Sequence, residues 1–277
     1  MLTELEHFVL VAELGTLTAA ARHAHLSQPA LTASIQRLEQ SFGATLLVRS
    51  RSGATLTASG QALLPRARAA LAAVQEGRRS VLEVMNLEAG EVRLGAGGTV
   101  CTYLLPPALA AFRRRYPGLR FFVSEMTTEE AQDALHGGEI DLALVVHEHA
   151  EPWHQDPLIL VRGPDFVPDK VDRAPFISFR EGASSRSVLQ QAFPQVQVVM
   201  ELGGIAAVKS MVSAGIGLAL VSRSAVKEDL ASGRLIEVPD RRTPLIRQLG
   251  VLHRGQARLP PAAAAFREAL LQDPGQR

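Results

Sequence analysis

The spacing of hydrophobic residues changes near residue 90, and this change divides the 277-residue chain into two kinds of structure. Before residue 90, apolar residues recur mainly at helical intervals. After it, short β-rich runs alternate with helical segments, a pattern that predicts parallel sheets with helices between the strands. The predicted strands span residues 91–96, 119–125, 141–146, 157–162, 175–179, 196–201, 216–221 and 246–253.

Composition restricts the class of protein. A hydrophobic content of 47% with 21% charged residues is typical of a soluble globular protein, and no apolar run reaches the roughly 18 residues that span a bilayer. The first residues, MLTELEHFVLV, contain two acids and no basic segment, so we expect no secretory signal and a cytoplasmic location. Because Cys101 is the only cysteine, an intramolecular disulfide framework and a multi-cysteine zinc site are excluded.

Three short helices are predicted within the first forty or so residues. A capping box at Thr3–Glu6 predicts the start of the first helix, and Gly15 predicts its end. The second helix is expected from about Thr18 to His25, and Ser27 is expected to cap a third helix that has Pro29 in its first turn. The following segment, LLVRSRSGATLT, predicts a two-stranded hairpin with a basic tip.

The third helix has one apolar face and one polar face that lacks acids. Leu31, Ile35, Leu38 and Phe42 fall on the apolar stripe. The polar face and its edges contain Gln28, Pro29, Thr32, Ala33, Gln36, Arg37 and Gln40. Glutamine, threonine and arginine can read base edges in a major groove, and a small alanine allows close approach. A solvated helix face is the alternative, but the trihelical context and the basic hairpin favour DNA recognition.

The charge distribution agrees with a polyanionic partner. Between Leu17 and Arg68 the chain contains six arginines and a single acid, Glu39. An arginine-rich composition throughout the chain is the alternative explanation, so charge by itself does not decide between them.

The segment LTAAARHAHLSQPALTASIQRLEQSFGATLLVRSRSGATLTASGQALL resembles the DNA-binding domain of the LysR-type transcriptional regulators, a winged helix-turn-helix. The Ala-Ala, Ser-Gln-Pro-Ala, Ile-x-x-Leu-Glu and Leu-Thr-x-x-Gly positions occur at the intervals of that family. The resemblance implies that base edges or adjacent sugars are contacted by Gln28, Pro29, Thr32, Ala33 and Gln36. It implies that phosphates are held by Thr18, Arg37, Arg49, Arg51 and Ser52.

A long helix is predicted from Ser59 to about Glu88. Its apolar positions follow the 3.5-residue period of a coiled-coil seam: Leu64, Ala67, Leu71, Val74, Arg78, Val81 and Met85. The helix could instead pack on the rest of its own chain, but the resemblance implies a linker helix that joins two subunits. We therefore expect a homodimer and, as a dimer of dimers, a homotetramer.

The segments EVRLGAGGTVCTYLLPPALAAFRRRYPGLRFFVSEM and GGIAAVKSMVSAGIGLALVS resemble the LysR-type effector domain, itself similar to periplasmic solute-binding proteins. The expected fold is therefore α/β with an N-terminal all-α winged helix-turn-helix. The expected domains are 1–58 for DNA binding, 59–89 for the linker helix and 90–277 for the effector. Two Rossmann-like subdomains are implied within the last domain, about 90–150 with 244–277, and about 151–243.

In such sheets a ligand binds beyond the carboxyl ends of the strands, where helix N-termini present N–H groups. The resemblance places effector contacts at Gly98, Thr99, Val100, Thr127, Thr128, Val146, His147, Phe179, Arg180, Gly204 and Ile205. Hydroxyl groups and backbone donors at these positions favour an anionic or carboxylate effector. Arg180 could supply the counter-charge or form an exposed salt bridge.

The sequence also offers residues for two other sensing chemistries. His147, His149 and His154 lie among carboxylates and could make the protein a metal-responsive regulator of the same fold, although Pro152 and Pro157 indicate a surface loop. Cys101 lies near a predicted helix start and could be a redox thiol, but a buried cysteine acting as a small hydrophobe is commoner. We assign neither a metal site nor a cofactor.

These observations predict a transcriptional regulator whose partners are double-stranded operator DNA, a small-molecule effector, a second copy of itself and RNA polymerase, with no membrane. No nucleophile elbow, Walker loop or zinc-hydrolase motif occurs in the sequence, so enzymatic activity is not expected. A solute-binding protein is excluded by the winged helix-turn-helix pattern.

Overall fold

The computed structural model describes residues 1–50, 53–85 and 90–272. These residues form two compact units, one built on Met1–Met85 and the other on residues 90–135 and 140–272. Within the described ranges, no helix has both the length and the apolar character needed to cross a membrane.

Helices and one hairpin make up the first unit, in the predicted order. Its elements are α1 (Leu2–Leu14), α2 (Leu17–His23), α3 (Gln28–Phe42), β1 (Leu47–Ser50), β2 (Gly53–Leu56) and α4 (Ala58–Met85). One hydrophobic core joins α1, α2 and α3, and its fully buried side chains are Phe8, Val11, Ala20, Leu31, Ile35 and Leu38. The apolar stripe predicted for the third helix therefore packs against the two helices before it, except at its last position.

The helix ends follow local side-chain chemistry. Gly15 and Gly43 end α1 and α3 in the left-handed conformation, with φ of 67° and 63°. The Ser27 hydroxyl accepts a backbone N–H in the first turn of α3, as predicted. Helix α2 is capped in the same way by Thr16, which leaves Thr18 exposed within its first turn.

Two predictions for this unit are wrong. The capping box at Thr3–Glu6 does not form, because α1 begins one residue after Met1 and has no side-chain cap there. The Glu4 carboxylate instead pairs with the N-terminal ammonium and with Arg37. Phe42 is 49% exposed because it is the last residue of α3, beyond the packed part of the apolar stripe.

Glu39 connects α3 to the hairpin. Its Oε1 accepts the backbone N–H of Leu46 at 2.8 Å and that of Leu47 at 3.2 Å. On the other strand, the N–H of Ala54 donates to the carbonyl of Gly15 at 2.7 Å. The antiparallel hairpin is thus attached to the helical core through both of its strands.

Helix α4 packs on α1 through its first half. Ala67 is buried in the core of the unit, and Leu64 and Leu71 are partly buried against it. Further along the helix, Val81 is 60% exposed. The predicted coiled-coil seam is therefore divided, because its first positions are occupied by contacts within the same chain. The side chain of Met85 lies outside the described residues.

The second unit contains a seven-stranded sheet and a separate strand pair. The sheet is formed by β3 (Glu91–Ala96), β4 (Arg120–Glu125), β5 (Leu142–Val145), β6 (Glu151–Arg162), β9 (Ala219–Ser222), β10 (Ile236–Val238) and β11 (Leu245–Leu252). Its order is β10-β6-β11-β5-β3-β4, and β9 also pairs with β6. The separate pair is β7 (Pro175–Phe179) with β8 (Gln197–Leu202).

The prediction of parallel sheets is correct only in part. Strand β3 pairs in parallel with β4 and β5, and β7 pairs in parallel with β8. Strands β6 and β11, however, run antiparallel to each other, and β6 is also antiparallel to β9 and β10. These long strands bring the chain back across the sheet, which simple strand–helix alternation does not reveal.

The prediction of a surface loop around Pro152 and Pro157 is also wrong, because both prolines lie within β6. Pro152 pairs with Gly250 where the register between β6 and β11 shifts, and such irregular positions tolerate proline. The three-residue strand β10 was not predicted, being too short to give a periodic signal.

Helices pack on the sheet, and the N-termini of several of them lie at a cleft. They are α5 (Leu105–Arg115), α6 (Thr128–Gly137), α7 (Ser184–Ala192), α8 (Ile205–Ser213), α9 (Arg223–Ala231) and α10 (Pro261–Gln272). A π-helical turn, Val100–Leu104, leads directly into α5. Phe112 and Phe266 pack edge to face with a ring-centroid distance of 5.0 Å, which joins α5 to α10 over the core.

Replacing Glu39 with alanine should destabilise the first unit by about 1–3 kcal/mol, because two backbone N–H groups lose their acceptor. Urea unfolding of the full chain, followed by far-UV circular dichroism, measures this loss. Gln40→Ala, an exposed neighbour on the same helix, is the control and should change the free energy of unfolding by less than about 0.5 kcal/mol. Equal unfolding midpoints for the two variants would contradict the role given to Glu39.

Candidate functional site

The first candidate site is the outer face of α3. Gln28, Pro29, Gln36 and Arg37 are exposed there, opposite the buried stripe. Thr32 and Ala33, which the sequence also assigned to this face, are half-buried. Thr18, in the first turn of α2, lies beside this face, and its hydroxyl is 3.5 Å from Oε1 of Gln28. The residues predicted to contact bases and two predicted to hold phosphates, Thr18 and Arg37, thus lie on or beside one face of α3.

Arg37 has a partner that the sequence did not predict. Its Nε is 3.2 Å from Oε1 of Glu4, and the Arg37 side chain is 60% exposed. The N-terminal ammonium of Met1, the backbone and Arg37, in this order, lower the pKa of Glu4 to about 2. To bind a DNA phosphate, Arg37 must therefore either contact Glu4 and the phosphate at the same time or leave Glu4 for the phosphate.

The remaining predicted phosphate contacts lie in the hairpin. Arg49 is within β1, opposite Ala54, but its side chain is outside the described residues. Arg51 and Ser52 fall in the gap between residues 50 and 53 of the described chain. Their roles stay predictions.

The second candidate site is an open cleft in the second unit. It brings together segments that are far apart in the sequence, each at the end of a strand or the start of a helix. Its lining includes the predicted residues Gly98, Thr99, Val100, Thr127, Thr128, Phe179, Arg180, Gly204 and Ile205. This cleft is called the effector cleft below.

A capping box holds one part of the effector cleft. The Thr127 hydroxyl accepts the N–H of Glu130 at 3.2 Å, and Oε2 of Glu130 accepts the N–H of Thr127 at 2.6 Å. This reciprocal pair fixes the start of α6. The N–H of Thr127, more than any other contribution, lowers the pKa of Glu130, and the nearby Arg180 adds to the effect.

Arg180 forms an ion pair with Glu130. Its Nη2 lies 3.2 Å from Oε2 and 3.4 Å from Oε1 of that residue, and both side chains are about half exposed. The salt-bridge alternative considered for Arg180 is therefore the arrangement seen. Because the pair is exposed, a ligand anion can compete for Arg180 at little cost.

A buried polar network forms another part of the lining, and the sequence did not reveal it. Arg247 on β11 pairs with Asp156 on β6 with an N–O distance of 2.5 Å, and their side chains are 4% and 0% exposed. Nη1 of Arg247 donates to the hydroxyls of Ser184 and Ser185, each at 2.9 Å. The Ser222 hydroxyl donates to the second oxygen of Asp156 at 2.6 Å. The network holds the start of α7 against the two long strands.

Glu125 is a further lining residue that sequence reasoning missed. It ends β4, and its carboxylate lies over Gly98. A Cβ atom on residue 98 would be only 2.3 Å from Oε1 of Glu125, so glycine leaves the space that this carboxylate occupies. An acid at the last position of a strand, beside a glycine-rich strand exit, was the available sequence signal.

Two predicted effector contacts, Val146 and His147, do not belong to this lining. Strand β5 ends at Val145, which does line the cleft, whereas Val146 packs against the hydrophobic core around β3 and β5. His147 turns to Gln132, with 2.9 Å between its Nε2 and the amide nitrogen. Their role as effector contacts stays a prediction.

The histidine cluster is not assembled as a metal site. The rings of His147 and His149 are 5.4 Å apart, but His154 lies on β6 with its ring against Trp153. Among the described residues, no group of three or more histidine, cysteine or acidic side chains is arranged to hold a metal ion. The structure therefore gives the metal-responsive alternative no support.

Cys101 is half-buried in the π-helical turn, where its Sγ lies 3.4 Å from the carbonyl oxygen of Ala96. Burial, and secondarily the charge of Glu125, raise the pKa of the thiol to about 11. The thiol is therefore protonated near neutral pH, which makes it a poor nucleophile. This agrees with the choice of a structural cysteine over a redox sensor.

A winged helix-turn-helix with an exposed α3 face, followed by an α/β domain with a ligand cleft, defines a ligand-responsive DNA-binding regulator. Residues 2–61 match the model of the "Bacterial regulatory helix-turn-helix protein, lysR family", and residues 86–274 match that of the "LysR substrate binding domain". The chain belongs to the LysR-type transcriptional regulator family. It is thus a regulator of transcription with a substrate-binding domain, and not an enzyme.

Similar proteins extend over the whole chain. The "RuBisCO operon transcriptional regulator" of Allochromatium vinosum is 28% identical over 291 residues, covering 98% of this chain and 96% of the relative. The "Probable RuBisCO transcriptional regulator" of Cyanidioschyzon merolae is 30% identical over 272 residues, or 90% of each chain. The solved structure of CbnR, a LysR family transcriptional regulator, covers 99% of this chain and 100% of its own at 23% identity, with a TM-score of 0.72. Full-length CbnR in complex with its target DNA covers 98% of both chains at 23% identity, with a TM-score of 0.69.

The two ion pairs of the effector cleft should contribute very differently to the free energy of unfolding. Arg247→Met should cost about 3–5 kcal/mol, because it leaves the carboxylate of Asp156 buried without its cation. Arg180→Met, which breaks the exposed pair, is the matched control and should cost about 0–1 kcal/mol. Urea unfolding monitored by fluorescence of Trp153, which is buried in the second unit, measures both. The double variant Asp156→Leu with Arg247→Met should cost less than Arg247→Met alone, and a larger loss would contradict this account.

Proposed function

We propose that the protein recognises a specific operator in double-stranded DNA through α3 and that a small carboxylate-bearing effector controls this binding. The observation that carries the first part is the acid-free outer face of α3, held by a fully buried stripe on its other side. Gln28, Pro29, Thr32, Ala33 and Gln36 then face base edges or adjacent sugars. Phosphates are held by Thr18, Arg37, Arg49, Arg51 and Ser52, which position the helix without selecting the sequence.

The polar chemistry of α3 supports this assignment. Glutamine side chains can donate and accept at once, so Gln28 and Gln36 can form paired hydrogen bonds with an adenine edge. The hydrogen-bonding distance between Thr18 and Gln28 restricts where the glutamine amide can point. Full-length CbnR, whose structure has been solved in complex with its target DNA, has the same fold.

The effector is proposed to bind in the effector cleft. Gly98, Thr99, Val100, Thr127, Thr128, Phe179, Arg180, Gly204 and Ile205 supply hydroxyl groups, helix starts and one exposed cation at its lining. Helix starts and hydroxyls favour an anion because their N–H and O–H groups donate hydrogen bonds toward it. Ligand binding shifts the regulator only if the ligand prefers one arrangement of the domain over the other.

Self-association is proposed to bring two α3 helices onto one operator, as a homodimer and, by pairing of dimers, a homotetramer. Apolar side chains are exposed at three places that suit such contacts. Val81 is exposed on α4, Phe122 and Val123 on the edge strand β4, and Val199 on the edge strand β8. Exposed edge strands with apolar residues pair readily with another chain. RNA polymerase is a further proposed partner of the DNA-bound form.

Gln28→Ala should relax discrimination at particular base pairs, by about 1–3 kcal/mol each, because a base-edge contact is lost. Arg49→Ala should instead weaken binding to all sequences and reduce the salt dependence by about one phosphate contact. The measurement is selection of genomic fragments by the full-length protein, followed by titration of the best site and of its single-base variants across a salt series.

Arg113→Ala is the matched control for charge, since it removes one exposed arginine at the end of α5 in the second unit. It should alter neither discrimination nor the salt dependence. Uniform weakening by Gln28→Ala would contradict its base-reading role. Sequence-blind binding by the wild-type protein, with and without candidate effectors, would overturn the proposed function.

A further inference from the structure

The effector cleft contains one negative charge that its ion pairs do not balance. Arg247 is neutralised by Asp156, and Arg180 is paired with Glu130. Glu125 lines the same cleft, and within the described ranges its carboxylate forms no ion pair. Glu125 is an exposed residue, so water stabilises its charge in the open cleft. A ligand anion bound beside it would be repelled unless the ligand also carries a positive group.

The exposed side chain of Glu125 lines the effector cleft beside Gly98. Both of its oxygens lie over Gly98, at 2.3 and 3.0 Å from where a Cβ atom would stand. A cationic group of a bound ligand could therefore form a charge-assisted hydrogen bond with Glu125 without a change of fold.

A different part of the lining is suited to a carboxylate. Arg247 donates to the hydroxyl oxygens of Ser184 and Ser185, and arginine has no acceptor of its own. Each serine hydroxyl is therefore an acceptor toward Arg247 and keeps its own hydrogen for another partner. Helix α7 begins at Ser184, and Ala183 before it provides no side-chain cap, so the first N–H groups of the helix add further donors.

We infer that the effector is a free α-amino acid, with its carboxylate on Ser184 and Ser185 at the start of α7 and its ammonium group on Glu125. This inference rests on the proposed function, because it assumes that the effector cleft binds the controlling ligand. The helix starts favour a carboxylate on the ligand but do not specify any other group. The inferred effector also carries a positively charged group, the ammonium. Glu125 then favours amino acids over simple carboxylates, because it attracts the ammonium group of an amino acid and repels a ligand that carries only a negative charge.

The test begins with the melting temperature of the full-length protein in the presence of each proteinogenic L-amino acid separately. A ligand that binds only the folded state raises the melting temperature. One amino acid should do so, and its dissociation constant is then measured by calorimetry. The matching 2-keto acid lacks the ammonium group and the matching amide lacks the carboxylate, so each should bind at least about tenfold more weakly.

The Glu125→Gln variant tests the assigned partner. It should bind the amino acid at least about tenfold more weakly, while its affinity for the 2-keto acid stays the same or rises. Glu129→Gln is the matched control, because Glu129 is an exposed acid on α6 outside the lining of the effector cleft. This control should change neither affinity.

The outcomes separate this inference from the proposed function. If the 2-keto acid binds the wild type as tightly as the amino acid, or if Glu125→Gln leaves amino-acid affinity unchanged, the zwitterion assignment is overturned and a plain carboxylate effector stands. If no amino acid raises the melting temperature while operator binding stays sequence-specific, the amino-acid effector is overturned and DNA recognition stands. If the wild-type protein showed no sequence-specific binding to DNA, with or without the amino acid, the proposed function itself would be refuted.

Discussion

The second unit depends on one buried charge pair, Asp156 with Arg247, at the place where β6 and β11 are hydrogen-bonded to each other. Removing both charges from water is costly, and that cost is offset only when each remaining polar atom finds a partner. The Ser222 hydroxyl donates a hydrogen bond to the carboxylate of Asp156, and the hydroxyls of Ser184 and Ser185 accept hydrogen bonds from Nη1 of Arg247. The pairing of the two long strands and the start of α7 are consequently fixed by the same set of hydrogen bonds. The effector cleft takes part of its lining from this set, so its polar chemistry cannot change independently of the sheet.

The features of the first unit that sequence could predict are those set by local chemistry. The burial of Leu31, Ile35 and Leu38 follows from a 3.6-residue period, and the cap at Ser27 follows from the residue itself. The Thr3–Glu6 prediction failed because α1 begins earlier, at Leu2, so Thr3 lies inside the helix and not at its cap. Contacts between distant residues were beyond sequence reasoning: Asp156 and Arg247 are 91 residues apart, and neither has a periodic or motif signal.

The effector cleft shows the same division. Residues at strand ends and helix starts, such as Thr99, Thr127 and Ile205, could be placed because an open α/β sheet brings those ends together. Val145, at the end of β5, lines the cleft, whereas Val146 and His147, which sequence reasoning named, lie one and two positions further along the chain and outside that lining. The antiparallel part of the sheet was missed for a related reason. The direction of a strand depends on the side from which the chain re-enters the sheet. The alternation of strands and helices in the sequence does not reveal that side.

Helix α4 contains two kinds of stabilising contact along one apolar stripe. Leu64, Ala67 and Leu71 are used inside the chain, so their contribution to the free energy of unfolding is the same at every protein concentration. Val81 lies further along the helix and is left exposed by the described residues, so the contribution of any contact that it makes with another molecule obeys mass action. With a rise of about 1.5 Å per residue, these two regions lie roughly 20 Å apart on the helix axis. In the proposed dimer, dilution would therefore separate subunits that meet at the far end of α4 while α3 stays folded on its own core.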